Sequence, residues 1–190
     1  ATSTYGDINT WDVSQITDFS GLFSYKTTFN SDISNWDVSS GENFAIMFAG
    51  ATKFNQDLKS WDLGSAIRTG GMFYYAEAFN QDISQWDVRN NKNFQFMFYS
   101  AKAFDQDISG WNVSSATSQE WGYTNNFEDM FTKATAMLAN QGLSATPDRS
   151  YFTDKVSVNN GDASFSIVGT KSVGNYLSIK RDSQDPDGTG

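Results

Sequence analysis

Aspartate recurs along this chain in two columns with a 25-residue period: Asp7, Asp32, Asp57, Asp82 and Asp107 in the first, Asp12, Asp37, Asp62 and Asp87 in the second. Rows of carboxylates can do three kinds of chemistry. A general acid and base pair needs two carboxyl groups in different environments about 5 to 10 Å apart. A hard cation such as calcium takes oxygen ligands at about 2.3 to 2.6 Å. A carboxylate at a bend accepts backbone N–H groups in an Asx-turn. Every candidate here has copies in other periods, so no pair stands apart as catalytic and a non-enzymatic role is expected.

The first column precedes Ile or Leu at a fixed bend, which predicts Asx-turns, with Gln56, Gln81 and Gln106 beside it as an amide ladder. The second column lies between Trp and Val or Leu, so strand alternation points it outward. Neighbouring strands are about 4.7 to 4.9 Å apart, which crowds the carboxylates. Asp37, Asp62 and Asp87 are therefore candidate calcium ligands, with hydration or hydrogen bonds from Ser and Asn neighbours as the alternative. Asp185 and Asp187 in "DPDG" form a second candidate, readable equally as a plain Pro-Asp-Gly turn.

Composition narrows the chemistry further. The chain has 190 residues and neither His nor Cys, which removes thiol nucleophiles, imidazole bases and the usual structural zinc ligands. Residues 1–137 carry 16 acids against 8 bases, whereas residues 138–190 carry 6 against 5. An acidic surface repels phosphate backbones, so nucleic acid is not an expected partner, and cations or basic surfaces remain. No run approaches the roughly 20 apolar residues of a membrane helix. The missing initiating Met points to a processed or excised piece.

The elements that must position these aspartates follow from the repeat. Trp11, Trp36, Trp61, Trp86 and Trp111 are each 25 residues apart, and Met47-Phe48, Met72-Phe73 and Met97-Phe98 keep the period. Met130-Phe131 arrives eight residues late, so the fifth unit carries an insertion near residues 119–126. The first half of each unit reads Ile/Leu-x-x-Trp-x-Val/Leu, which predicts a short strand with Trp and Val inward. In the second half Phe44, Met47, Phe48, Ala51 and Phe54 follow helical spacing, which predicts a short helix or 3-10 turns. Neither half can bury its apolar face alone. Stacking pools the faces into one core, so the expected fold is an α/β repeat solenoid: five units, a parallel sheet, helical or 3-10 returns and a small C-terminal β segment.

The "FNQDISxWDV" and "MFxxAxxF" blocks over residues 5–137 resemble the 25-residue repeats of bacterial surface proteins first catalogued in mycoplasmas as a family of unknown function and grouped with the leucine-rich repeats. The resemblance implies a leucine-rich-repeat-like solenoid in an extracellular or cell-surface setting, and it brings no catalytic residues. Unit five departs from the pattern, with Asn112 in place of Asp.

Boundaries are expected at 1–137 for the solenoid, 138–154 for a cap or linker around Pro147, and 155–190 for a partial β segment. In that segment Asn159-Asn160-Gly161 signals a hairpin, and "YLSIK" at 176–180 a further strand. The stretch from Ala163 resembles the opening strands of immunoglobulin-like or cadherin-like adhesin repeats. The expected role is an extracellular structural or adhesive module, or a filament subunit, working through protein or cell-surface contacts. The alternative is a lectin-like module using Trp121 and Tyr123, where surface binding and local packing are both open readings. Incomplete strand edges also predict head-to-tail homo-association, the C-terminal strands of one chain meeting Tyr5 to Val13 of the next.

Overall fold

The computed structural model describes residues 6–117 and 125–152, together with the backbone of 165–168 and 178–181. The chain divides into two compact units, Ala1–Asp154 and Lys155–Gly190. The first is a repeat stack. Its coils are built almost wholly of turns.

Among the described residues of the stack there is no strand, and cross-coil pairing is limited to single parallel bridges, Asp18 with Asn43, Asn43 with Arg68, and Arg68 with Asn93. The expected parallel sheet is therefore corrected. The reason lies in the side chains: Ser39, Gly64 and Arg89 spend their N–H groups on the carboxylates of Asp37, Asp62 and Asp87 two residues earlier, which bends the chain and withdraws those amides from any ladder. The Trp amides likewise close tight turns, Trp36 onto the Ile33 carbonyl and Trp61 onto Leu58.

Of the predicted short helix or 3-10 turns, the helix is corrected and isolated three-residue turns remain. In the segment of Phe44 to Phe54 the amides alternate: Met47, Ala49 and Ala51 donate three residues back, while Phe44, Ile46, Phe48 and Gly50 donate to Arg68, Gly70, Met72 and Tyr74 of the next coil. A helix would keep all of these bonds within one segment. The alternation is possible because two positions per coil are left-handed: Gly21, Ile46, Gly71, Phe96 and Asp129 at one, Tyr25, Gly50, Tyr75, Ser100 and Lys133 four residues later, with φ between 51° and 69°. Each non-Gly residue held so costs about 1 to 2 kcal/mol. The cross-coil bonds donated by Tyr25, Ile46, Tyr75, Phe96 and Ser100 themselves offset that strain.

The core is a set of aromatic columns running along the stack. Phe23, Phe48, Phe73, Phe98 and Phe131 stack in turn at 5.6 to 5.9 Å. Phe29, Phe54, Phe79 and Phe104 form a second column at 5.7 to 6.1 Å. Trp36 lies on Trp61 at 6.4 Å, and Trp86 on Trp111 at 6.3 Å. Each buried indole also donates its Nε1–H to the carbonyl of the preceding coil: Trp36 to Ile8, Trp61 to Ile33, Trp86 to Leu58 and Trp111 to Ile83. The polar atom that would make a buried Trp costly is thus paired in the second to fifth coils.

After the fifth coil, helix α1 (Thr135–Gln141) ends at Gly142, which takes the left-handed conformation usual at that position. A 3-10 turn follows at Arg149–Phe152, whose Tyr151 and Phe152 are buried. In the second unit β1 (Phe165–Val168) pairs antiparallel with β2 (Ser178–Arg181), Ile167 opposite Ile179. The expected hairpin at 159–161 lies outside the described residues.

Candidate interaction surface

The two acidic columns have one task in common. Oδ1 of Asp7, Asp32, Asp57, Asp82 and Asp107 accepts the N–H two residues on, at 2.8 to 3.0 Å. The second column repeats the geometry at Asp12, Asp37, Asp62 and Asp87, and Asn112 does the same in the fifth coil. The Ser39 hydroxyl and then its amide hold the Asp37 carboxyl below the ordinary carboxylate range, with the Asp12 charge working against them. Arg89 lowers Asp87 and pairs with it at 2.8 Å. Among the described residues no group of three or more carboxylates is gathered into a metal-sized cluster.

The adjoining Asn and Gln stitch coil to coil. Asn30 accepts the Asn55 amide and Asn55 accepts the Asn80 amide, while Gln81 and Gln106 reach back to Asn55 and Asn80. "FNQD" is therefore a junction device: the Phe stacks, the Asn and Gln bond to the neighbouring coil, and the Asp forms the bend.

Of the other residues singled out from the sequence, Val13 is buried at the edge of the core, 9% exposed. Tyr5, Trp121, Tyr123, Asp185 and Asp187 lie outside the described residues.

A surface the sequence reading passed over stands at the left-handed segment. Tyr25 and Ile46 are exposed, and with Ser24, Ala49, Gly71, Tyr74 and Phe96 they line a shallow groove of about 360 Å³. Beside it Tyr74 and Tyr99 stack at 5.0 Å, Tyr75 meets Tyr74 edge-on at 4.7 Å, and the Lys133 ammonium sits 5.3 Å over Tyr99. Burial first, then the neighbouring phenols Tyr75, Tyr99 and Tyr25, push the Tyr74 phenol up. Of these residues Tyr25, Ile46, Gly71, Tyr75, Phe96 and Lys133 occupy the left-handed positions of their coils. The available signal was "MFYY" at 72–75 and "MFYS" at 97–100, aromatics just past the buried pair.

Matches to the family described as "Mycoplasma protein of unknown function, DUF285" cover residues 1–111 and 67–165. The chain belongs to this family. Neither a curated protein nor a solved structure matches it significantly. In this DUF285 chain the buried and bend-forming positions repeat from coil to coil, whereas the shelf positions change: Ser24-Tyr25, Ala49-Gly50, Tyr74-Tyr75, Tyr99-Ser100 and Thr132-Lys133. The repeat supplies the scaffold, and the shelf is individual to each coil.

Proposed function

We propose that the protein is a non-catalytic structural and adhesive module of an extracellular or surface-borne assembly, which grips a protein partner through the aromatic shelf of Tyr25, Ile46, Tyr74, Phe96 and Tyr99. One observation carries the reading: Tyr25 is exposed and Tyr74, Phe96 and Tyr99 are half-buried, at positions where the repeat does not require an aromatic. Exposed Tyr and Phe on a rigid backbone lose little side-chain entropy on binding and are typical anchors of interfaces. The carboxylates argue against catalysis, because copies throughout the stack share one hydrogen-bonded role. The extracellular setting rests on the likeness of the repeats to those of bacterial surface proteins.

The test is adhesion of beads coated with the protein to cells, compared with the double substitution Tyr74→Ser, Phe96→Ser. Both side chains are partly exposed, so the variant should keep its cooperative melting while adhesion falls at least tenfold. Undiminished adhesion would remove the shelf from the function. A glycan-binding reading has one observation in its favour, that the groove is flanked by the rings of Tyr25, Tyr74 and Phe96 with the small residues Ala49 and Gly71 between them. Specific signals on a glycan array, lost in Tyr74→Ser or Trp121→Ala, would select it.

A further inference from the structure

Three phenols meet on one flank of the stack. Tyr74 and Tyr99 hold the same position in the third and fourth coils, and their rings stack with centres 5.0 Å apart and planes 26° from parallel. Tyr75 lies edge-on to Tyr74 at 4.7 Å and tilted against Tyr99 at 5.5 Å. All three are half-buried, so packing fixes them on one side while the other stays open to small reagents. Readily oxidised side chains elsewhere are mostly out of reach. The sequence has no Cys, all five Met are 0% exposed, and Trp36, Trp61, Trp86 and Trp111 are 4% exposed or less. Among the described residues, Trp11 and Tyr25 are the large oxidisable side chains that stand more open than these three.

We infer that Tyr74 and Tyr99 form an oxidative cross-linking site, at which a haem peroxidase with hydrogen peroxide joins the two rings as dityrosine and staples the third coil to the fourth. Each phenol gives one electron and its hydroxyl proton to the oxidant. The two phenoxyl radicals couple through a carbon–carbon bond between Cε positions, ortho to the hydroxyls. The hydrogen on each bonded carbon then leaves as a proton while one proton returns to each phenol oxygen. Two tyrosines and one hydrogen peroxide thus become one dityrosine and two waters. Ring centres 5.0 Å apart put rim carbons of the two rings within van der Waals contact, about 3.5 to 4.0 Å. The hydroxyl ends are near one another as well: burial raises the Tyr74 phenol most, and the charges of the Tyr75 and Tyr99 phenols raise it further. Tyr75 is the poorer partner for either ring. A bond to Tyr74 would close a small strained ring through the peptide they share, and its distance to Tyr99 is longer. In a chain without cysteine a Tyr74–Tyr99 bond takes the place of a disulfide, closing a loop of one 25-residue period. The inference does not depend on what the shelf binds, because the product forms within a single chain.

The experiment treats the full chain, dilute enough to disfavour contact between copies, with a haem peroxidase and hydrogen peroxide, and follows dityrosine fluorescence in the monomer band of a denaturing gel. The monomer should gain that fluorescence, lose two hydrogens in mass and yield on digestion a joined peptide carrying residues 74 and 99. Once purified it should melt several degrees above the untreated protein. Tyr99→Phe keeps the ring and loses the hydroxyl that the radical requires. It should retain cooperative melting and cut the intrachain product at least tenfold, whereas Tyr75→Phe should still form it. A monomer without dityrosine would overturn the inference, as would an intrachain link that maps to other tyrosines and survives Tyr99→Phe. A Tyr74–Tyr99 link that leaves melting unchanged would overturn its role as a staple.

Discussion

The two ends of the stack are made of the same coil and are finished in opposite ways. At the C-terminal end Phe152 stacks on Phe127 at 4.9 Å, and the Arg149 guanidinium donates to the carbonyls of Val113 and Ala116 at 2.7 Å. At the N-terminal end Trp11 and Leu22 are 42% and 47% exposed, although Phe19 and Phe23 of the same coil are buried. A repeat is stable only where both its faces are met, so position in the stack, rather than residue type, sets what a side chain contributes.

The largest expected effect tests that contrast within one column. Trp61→Ala should cost about 3 to 5 kcal/mol by urea unfolding, as loss of a buried large side chain does, while Trp11→Ala at the open end should cost about 1 kcal/mol or less. Equal losses would mean that the open end is packed as tightly as the middle. Phe152→Ala should follow at about 3 kcal/mol, with early loss of exchange protection in the fifth coil and none in the third. Loss spread evenly over the coils would show that the cap is not local.

The capped end should also respond to alkali. Burial pushes the Tyr151 phenol up to about 12, against an unfolded value of about 10. The folded state therefore favours the neutral phenol, and its contribution is complete below about pH 10 and lost as pH rises towards about 12. Tyr151→Phe should remove that part of the alkaline decline; an unchanged profile would assign the decline elsewhere.

Smaller and opposite in sign is Ile46→Gly. Ile46 is β-branched at φ 51°, while Gly21 and Gly71 hold the same place in neighbouring coils. Relief of strain, net of the added freedom of the unfolded chain, should raise stability by about 1 kcal/mol in the same urea titration. The smallest effect is expected at Asp62→Asn, because Asn112 makes the same bend in the fifth coil. Melting should be unchanged in buffer. A rise with millimolar calcium in the parent chain alone would instead make the acidic column a cation site.

The period, the buried Trp and Phe columns and the outward aspartates were all legible in the sequence, because each depends only on which residues recur at which spacing. Ile33, Trp36 and Val38 are buried with Asp37 outside them, as alternation required. Asx-turns at the first aspartate column follow from residue type alone, since a short carboxylate at a bend finds the amide two residues on. The second half of each unit was not legible. Phe44, Met47, Phe48, Ala51 and Phe54 have the spacing of a helical face, and side-chain periodicity reports which residues share a face without reporting where the amides go. Tertiary structure decided that alternate amides would leave the segment for the next coil, because those cross-coil bonds, made four at a time at each junction, offset the left-handed residues that they require. Only stacking creates those acceptors, so neither the turn-built coil nor the shelf that it raises could be read from one unit in isolation.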